Sequence, residues 1–479
     1  MALESINPAN GKLLRRFDPL DATTLREKIA RAHVAFRDYG HVPIEHRALC
    51  MRKLASILDS EAEDLARIIT IEMGKPIAAA RQEILKCAGT CLFYAEEAAR
   101  MLAPESIPTE AAHSYVRWDP IGVLLAVMPW NFPFWQVFRC LVPALMAGNV
   151  VLLKHAANVP QCALAIESLV RRSGFPSGTF QALLIDVQAV ESVLADDRVV
   201  AVTVTGSEAA GRAIGAQAGW LIKKSVMELG GSDPFIVMTS ADLERAAEMA
   251  VRARLINSGQ SCIAAKRFLV AAEIYDRFTE RFVAGMREMV VGDPMNNNTD
   301  VGPLATKRLL EDLELQVGAA VKSGARVLTG GHRIRGLTSD AAEDAKGEGN
   351  FFQPTVIEGV PRTSPVYREE LFGPVAMLFR VRNLDEAIAL ANDTPFGLGA
   401  SVWTRDPAEQ QRLIAELECG MVFLNTIVVS DPRLPFGGVK HSGFGRELSA
   451  FGMREFMNAK TVVISSPPSA PSPLRNSGR

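Results

Sequence analysis

Apolar residues recur at helical spacing over three stretches near the N-terminus, residues 25–34, 49–69 and 84–101. A period of 3.6 gathers such positions on one face, so each stretch predicts a helix with one buried side. Gly74-Lys75-Pro76 punctuates the second and third. The pattern changes at Ser114. Residues 114–118 alternate polar and apolar, as a half-exposed strand does, and Pro120 ends the run. Short apolar runs follow at 121–128, 150–154, 180–184, 199–204 and 224–228, separated by helical patterns such as 162–172 and 208–218. Parallel strands covered on both faces read as unbroken apolar runs, so this alternation predicts βαβ units around a parallel sheet. It restarts beyond Gly230-Gly231, which reads as a hinge. A strand is expected at 234–238, a helix at 243–255, a strand at 267–271, and later strands at 375–380, 400–404 and 421–425. One more strand is expected at 461–465, outside both α/β units.

Composition narrows the class. A chain of 479 residues is too long for one ordinary domain and predicts two or three. Hydrophobic residues at 48% and charged residues at 22% fit a globular protein with a large core. A formal charge of −2 with no extended basic run speaks against nucleic acid or an anionic membrane as partner. The longest apolar stretch, 121–135, is interrupted by Gly122, Pro129, Asn131 and Pro133, which suits no membrane span. The N-terminus has no apolar leader core, so no signal peptide is expected. Seven cysteines without a C-x-x-C pair predict a reducing compartment, the cytoplasm, rather than a disulfide framework. Cys87 and Cys91 read as core thiols, and the histidine spacing suggests no metal site. Residues 335–350 read as a surface loop and 467–479 as a disordered tail.

Three segments could carry chemistry. In Asn257-Ser258-Gly259-Gln260-Ser261-Cys262 a turn precedes a cysteine. A thiolate presented this way attacks a carbonyl readily, although a lone cysteine is more often inert and buried. In Met227-Glu228-Leu229-Gly230-Gly231 a glutamate closes an apolar strand before the hinge. Burial there would raise its pKa and make it a usable base; the alternative is a strand-end charge in water. In Met128-Pro129-Trp130-Asn131-Phe132-Pro133 an amide is held between two prolines. It is either a donor to an oxyanion or a turn-former.

Taken together, MPWNFPFW, VTGSEAAG, MELGG, NSGQSC, EELFGPV and PFGGVKHSGFGRE resemble the aldehyde dehydrogenase superfamily, in its order and at its spacings. The resemblance runs from about residue 6 to residue 463, and is strongest toward bacterial succinate-semialdehyde dehydrogenases. It implies a variant Rossmann nucleotide-binding domain from 1–113 and 121–229, and a second α/β catalytic domain over 230–435. A small β element, 114–120 with 457–466, would serve oligomerisation. Cys262 matches the family nucleophile, Glu228 its general base, and Asn131 with the Cys262 N–H its oxyanion hole. The cofactor would be NAD(P), met by Pro129, Trp130, Lys154, Ala157, Gly206, Ser207, Leu229, Glu370 and Phe372. Many NAD-preferring relatives carry a glutamate at the position of Ala157. Its loss removes a carboxylate that would repel a 2′-phosphate, so NADP is admitted. His155 either faces that phosphate or packs.

The same resemblance implies a substrate with a carboxylate remote from its aldehyde. Arg139 matches an arginine that meets this carboxylate, its alternative being a structural ion pair. Ser430 matches a hydroxyl used in the same way, and Trp135 an apolar wall. A second arginine found in several relatives is replaced by Ile256. Other short or aromatic aldehydes, and a catalytically silent nucleotide-binding protein, are the competing readings. An acylating enzyme that passes its thioester to coenzyme A usually lacks the glutamate present at 228. A homodimer or homotetramer is expected.

Overall fold

A computed structural model describes residues 3–337 and 349–465. The expected tail at 467–479 and most of the 335–350 loop lie outside the described residues. The three helical stretches fold as four helices: α1 (Ala22–Tyr39), α2 (Ile44–Ser60), α3 (Ala62–Met73) and α4 (Ile77–Met101). The single helix expected over 49–69 is broken at Glu61, whose backbone leaves the helix at φ −106°, ψ 15°. The break lets α2 and α3 each pack on α4. Ahead of them lies an unanticipated hairpin, Leu3–Ile6 against Leu13–Phe17.

Six strands form the first sheet, in the spatial order Gly443–Phe444, Lys224–Glu228, Val199–Thr205, Val123–Met128, Val150–His155, Phe180–Ala182. All pairings are parallel except that of Gly443–Phe444, which runs antiparallel along the 224–228 edge. The chain steps outward from Val123–Met128 to Phe180–Ala182, then returns to lay Val199–Thr205 on the other side of its starting strand. Strand order therefore reverses between 123–128 and 199–205, and crevices for ligands open at the carboxyl ends of strands at such a point. The segments leaving those ends are Pro129–Asn131, Gly206-Ser207 and Leu229.

Between this sheet and α4 runs α5 (Trp135–Ala147), buried at every position, Gln136 and Arg139 included. Further helices cover the sheet: α6 (Pro160–Arg172), α7 (Val187–Ala195) and α8 (Glu208–Trp220). After Gly230-Gly231 a seven-stranded second sheet begins. Its order is Arg326–Thr329, Thr355–Glu358, Val375–Val381, Arg267–Ala271, Pro234–Val237, Gly399–Trp403, Met421–Leu424. Only the outermost pair, 326–329 with 355–358, is antiparallel. Side chains alternate along its strands: Phe235 and Val237 enter the core on one face with α9 (Leu243–Leu255), and Ile236 enters the core on the other.

A third sheet pairs Met457–Ile464 along the whole of His113–Pro120, with Glu105–Ser106 beyond. No described helix is long and apolar enough to cross a membrane.

Candidate active site

The loop that presents Cys262 is wound against its own preference. Asn257 and Ser258 sit at φ 54° and 57°. L-residues adopt this region at a cost of about 1–2 kcal/mol each. The surroundings hold them there. Asn257 Nδ2 donates to Asn131 O at 2.6 Å and Gln260 O at 3.0 Å, and Ser258 Oγ accepts the Gly302 N–H at 2.9 Å. Gly259 follows at φ 77°, where a Cβ would lie 2.3 Å from Gly373 O. The NSGQSC and ELFGPV motifs thus meet backbone to backbone. Lys266 Nζ completes the brace by donating to Ser261 O at 2.7 Å and Cys262 O at 2.8 Å.

Asn131 enters from the first sheet. Its Nδ2 donates to Gln260 O at 3.1 Å. A side-chain amide has two N–H groups, so the second is available to a substrate oxygen. The loop carrying Asn131 is anchored by His155. His155 Nε2 bonds Pro133 O at 2.8 Å, and Nδ1 lies 3.0 Å from the Ala156 N–H and 3.2 Å from Met128 O. Burial pushes the His155 pKa down to about 4. His155 is therefore a neutral strut under the 129–133 loop, not a phosphate ligand.

Glu228 is 2% exposed, and neither carboxyl oxygen has a hydrogen-bond partner among the described residues. It is not a strand-end charge in water. Burial, and then the like charge of Glu447, push its pKa well above the ordinary carboxylate range, against Arg139 and Arg446. Cys262 is half-buried, and burial pushes its thiol up to about 12 against Arg139 and Lys266. The resting pair is accordingly a thiol and a carboxylic acid.

Cys262 lines a cavity of about 390 Å³ together with Phe132, Trp135, Arg139, Val428 and Ser430. Trp135 forms an apolar wall, and its Nε1–H donates to Ser430 Oγ at 3.0 Å. Arg139 reaches the cavity but is otherwise engaged. Its Nε lies 2.7 Å from Glu447 Oε2, and its guanidinium stacks 4.4 Å from the Phe436 ring centroid. Arg139 thus makes the buried ion pair that the sequence left open as the alternative, while still lining the cavity. A cation that sequence reasoning passed over stands in the same wall. Lys86 of α4 donates to Ser430 Oγ at 2.7 Å, with its Nζ 4.0 Å from the Trp135 ring centroid.

A second cavity, about 460 Å³, opens at the sheet's reversal point between α7 and α8, and Lys154 lines it. Burial lowers the Lys154 pKa, and no carboxylate pairs with it among the described residues. Ser207 caps α8, accepting the Ala210 N–H at 3.3 Å. The Gly206 N–H is taken by Glu228 O at 3.0 Å, so the open donors at this helix start belong to the residues after Gly206. Ala157 is exposed beside Lys154 and offers no acid. Leu229 packs on α8 where Gly211 has no side chain; a Cβ there would meet it at 2.5 Å. Glu370 Oε1 accepts the Gly231 N–H at 3.2 Å and faces Lys266 Nζ at 3.1 Å. Trp130, beside Pro129, meets Phe372 edge to face at 5.7 Å, joining the first sheet's loop to the second sheet's.

Comparison with known proteins agrees with this geometry. Residues 1–462 match the aldehyde dehydrogenase family. A Mycobacterium tuberculosis protein, NADP(+) succinate-semialdehyde dehydrogenase 1, is 51% identical over 469 residues, covering 97% of this chain and 100% of its own. The NADP(+) succinate-semialdehyde dehydrogenase of Mycobacterium avium is 49% identical over 470 residues, covering 97% of each. Among solved structures, succinic semialdehyde dehydrogenase from Streptococcus pyogenes, in complex with NADP+, superposes with a TM-score of 0.92 at 35% identity. That match covers 97% of this chain and 100% of the other.

Proposed function

The chain belongs to the aldehyde dehydrogenase family, and from that premise we propose that it oxidises succinate semialdehyde to succinate, with NADP as its cofactor, through a thioester on Cys262. The observation that carries this reading is that the Cys262 thiol opens on a cation-bearing cavity, with the Asn131 amide bonded to the same loop at Gln260 O. Cys262 gives up its thiol proton to water and its Sγ adds to the aldehyde carbon. The oxygen that becomes anionic accepts the free Asn131 N–H and the Cys262 backbone N–H, which is unengaged among the described residues. One such donor is worth about 10²–10³ in rate. Bound NADP supplies the acceptor for the hydride leaving that carbon. Glu228, once ionised, takes a proton from the water that hydrolyses the thioester, and its raised pKa makes it the stronger base for that step. A glutamate here favours hydrolysis over transfer to coenzyme A.

The residues fit the nucleotide. Lys154 makes no ion pair among the described residues, the start of α8 offers N–H donors to a diphosphate, and Ala157 leaves room for a 2′-phosphate without repelling it. Glu370 and Phe372 on one side, and Pro129 and Trp130 on the other, would hold the nicotinamide half. The names of the two mycobacterial relatives point the same way.

The same reading places the protein in the cytoplasm as a homodimer or homotetramer. Residues 1–113 and 121–229 would act as the nucleotide-binding unit and 230–435 as the catalytic unit. Initial rates for succinate semialdehyde and for butanal, each with NADP and with NAD, test it. The highest kcat/KM is expected for succinate semialdehyde with NADP. A preference for butanal would remove the substrate assignment, and a preference for NAD the cofactor assignment.

A further inference from the structure

A carboxylated substrate needs a cation in the cavity, and three reach it: Lys75, Lys86 and Arg139. Two are already neutralised. Lys75 pairs with Glu83, whose other oxygen accepts the N–H groups of Phe134 and Trp135, both at 2.9 Å. Arg139 pairs with Glu447. Lys86 has no such partner among the described residues. The carboxylates that face it are Glu83 on its own helix and Asp431 beyond the second sheet. Glu83 is committed to Lys75, and Asp431 to Arg433, which holds it through two nitrogens at 2.8 and 2.5 Å. The other groups facing Lys86 are Arg139 and the buried Cys87 thiol.

Counting donors sharpens the picture. Ser430 Oγ receives one hydrogen bond from Lys86 and one from Trp135, which fills both lone pairs. Its own O–H is left to donate, and no acceptor for it stands among the described residues. The Lys86 ammonium has three N–H groups and gives one to Ser430. Trp135 holds it by its ring face on one side. Unspent donors of the ammonium and the hydroxyl therefore sit side by side in the wall of the cavity that contains Cys262. A carboxylate is the chemical group that matches two adjacent donors bearing one positive charge.

We propose that Lys86, with the hydroxyl of Ser430, receives the substrate carboxylate, and that Arg139 serves Glu447 instead. This rests on the substrate reading above and assigns its specificity to a residue of α4. Burial, and then Arg139, hold the Lys86 pKa down to about 8. In the free protein the charge that selects an anion is therefore lost as pH rises through that value.

The experiment compares kcat/KM for succinate semialdehyde and for butanal in the full-length protein with its cofactor. Lys86→Met should lower the ratio about tenfold to a hundredfold, chiefly by raising KM for succinate semialdehyde. Lys86→Arg should restore most of it. An unchanged ratio in Lys86→Met, with succinate semialdehyde still preferred, overturns the assignment and leaves the substrate reading standing. A parent protein that prefers butanal overturns both. If the methionine variant does not fold, the parent's pH profile decides. The ratio should fall by about tenfold per unit above pH ~8, and a flat ratio rejects Lys86.

Discussion

At the scale of single residues, the site stores its reactivity in neutral form. Burial raises the pKa of both Cys262 and Glu228, which favours their uncharged forms in the free cleft. His155 is the third buried group of this kind, and its effect can be measured as stability. Its pKa is 6.5 in an unfolded chain and about 4 in the folded one. Between those values the unfolded chain binds a proton that the folded one refuses. His155 thus leaves stability intact above pH ~6.5 and subtracts from it as pH falls toward 4, by about 3 kcal/mol in all. In His155→Gln the loss between those two pH values should shrink by that amount, read from urea midpoints. An equal pH slope in both proteins would mean that His155 is not buried neutral. The three residues proposed to react stand out in the sequence because each lies in a short contiguous motif. Lys86 was not. Its meaning comes from a contact with Ser430, remote in sequence, and from knowing that Glu447 has already claimed Arg139. No local pattern says which of several cations is spoken for.

At the scale of elements, the nucleophile's loop is a joint with no room for a side chain at Gly259. Gly259→Ala puts a methyl 2.3 Å from Gly373 O at a backbone angle that alanine resists. A loss of more than about 2 kcal/mol is expected, with a fall in kcat as the Cys262 loop shifts. Thermal melts and single-turnover rates check this. A variant with parental melting and rate would show that the loop yields without cost. The strands at 123–128, 150–155 and 199–205 were readable because both faces are covered, which leaves an unbroken apolar run. Arg326–Thr329, with an exposed edge, gave no such signal, nor did Gly443–Phe444, a strand only two residues long. The break at Glu61 was hidden because glutamate favours helix and the apolar rhythm continues across it.

At the scale of the whole molecule, the third sheet has an outer strand, Met457–Ile464, with one edge unpaired in the single chain. Val463 and Ile464 on it are 58% and 50% exposed. Such an edge invites pairing, which is the support for a homo-oligomer. Replacing Val463 and Ile464 together by lysine should move the particle toward monomer in light scattering. An unchanged mass would place the subunit contact elsewhere.

The return of the chain's end to the first sheet has a consequence for how the protein is made. Every other strand of that sheet has left the ribosome once residue 228 is out, yet its 224–228 edge stays bare until Phe444 arrives to cover it. Until Glu447 follows, Arg139 lacks the ion-pair partner it has in the finished fold. An unfinished chain is thus left with an open edge and a broken ion pair, both of which chaperones and proteases act upon. The last strand of that sheet to be synthesised works as a seal over its edge.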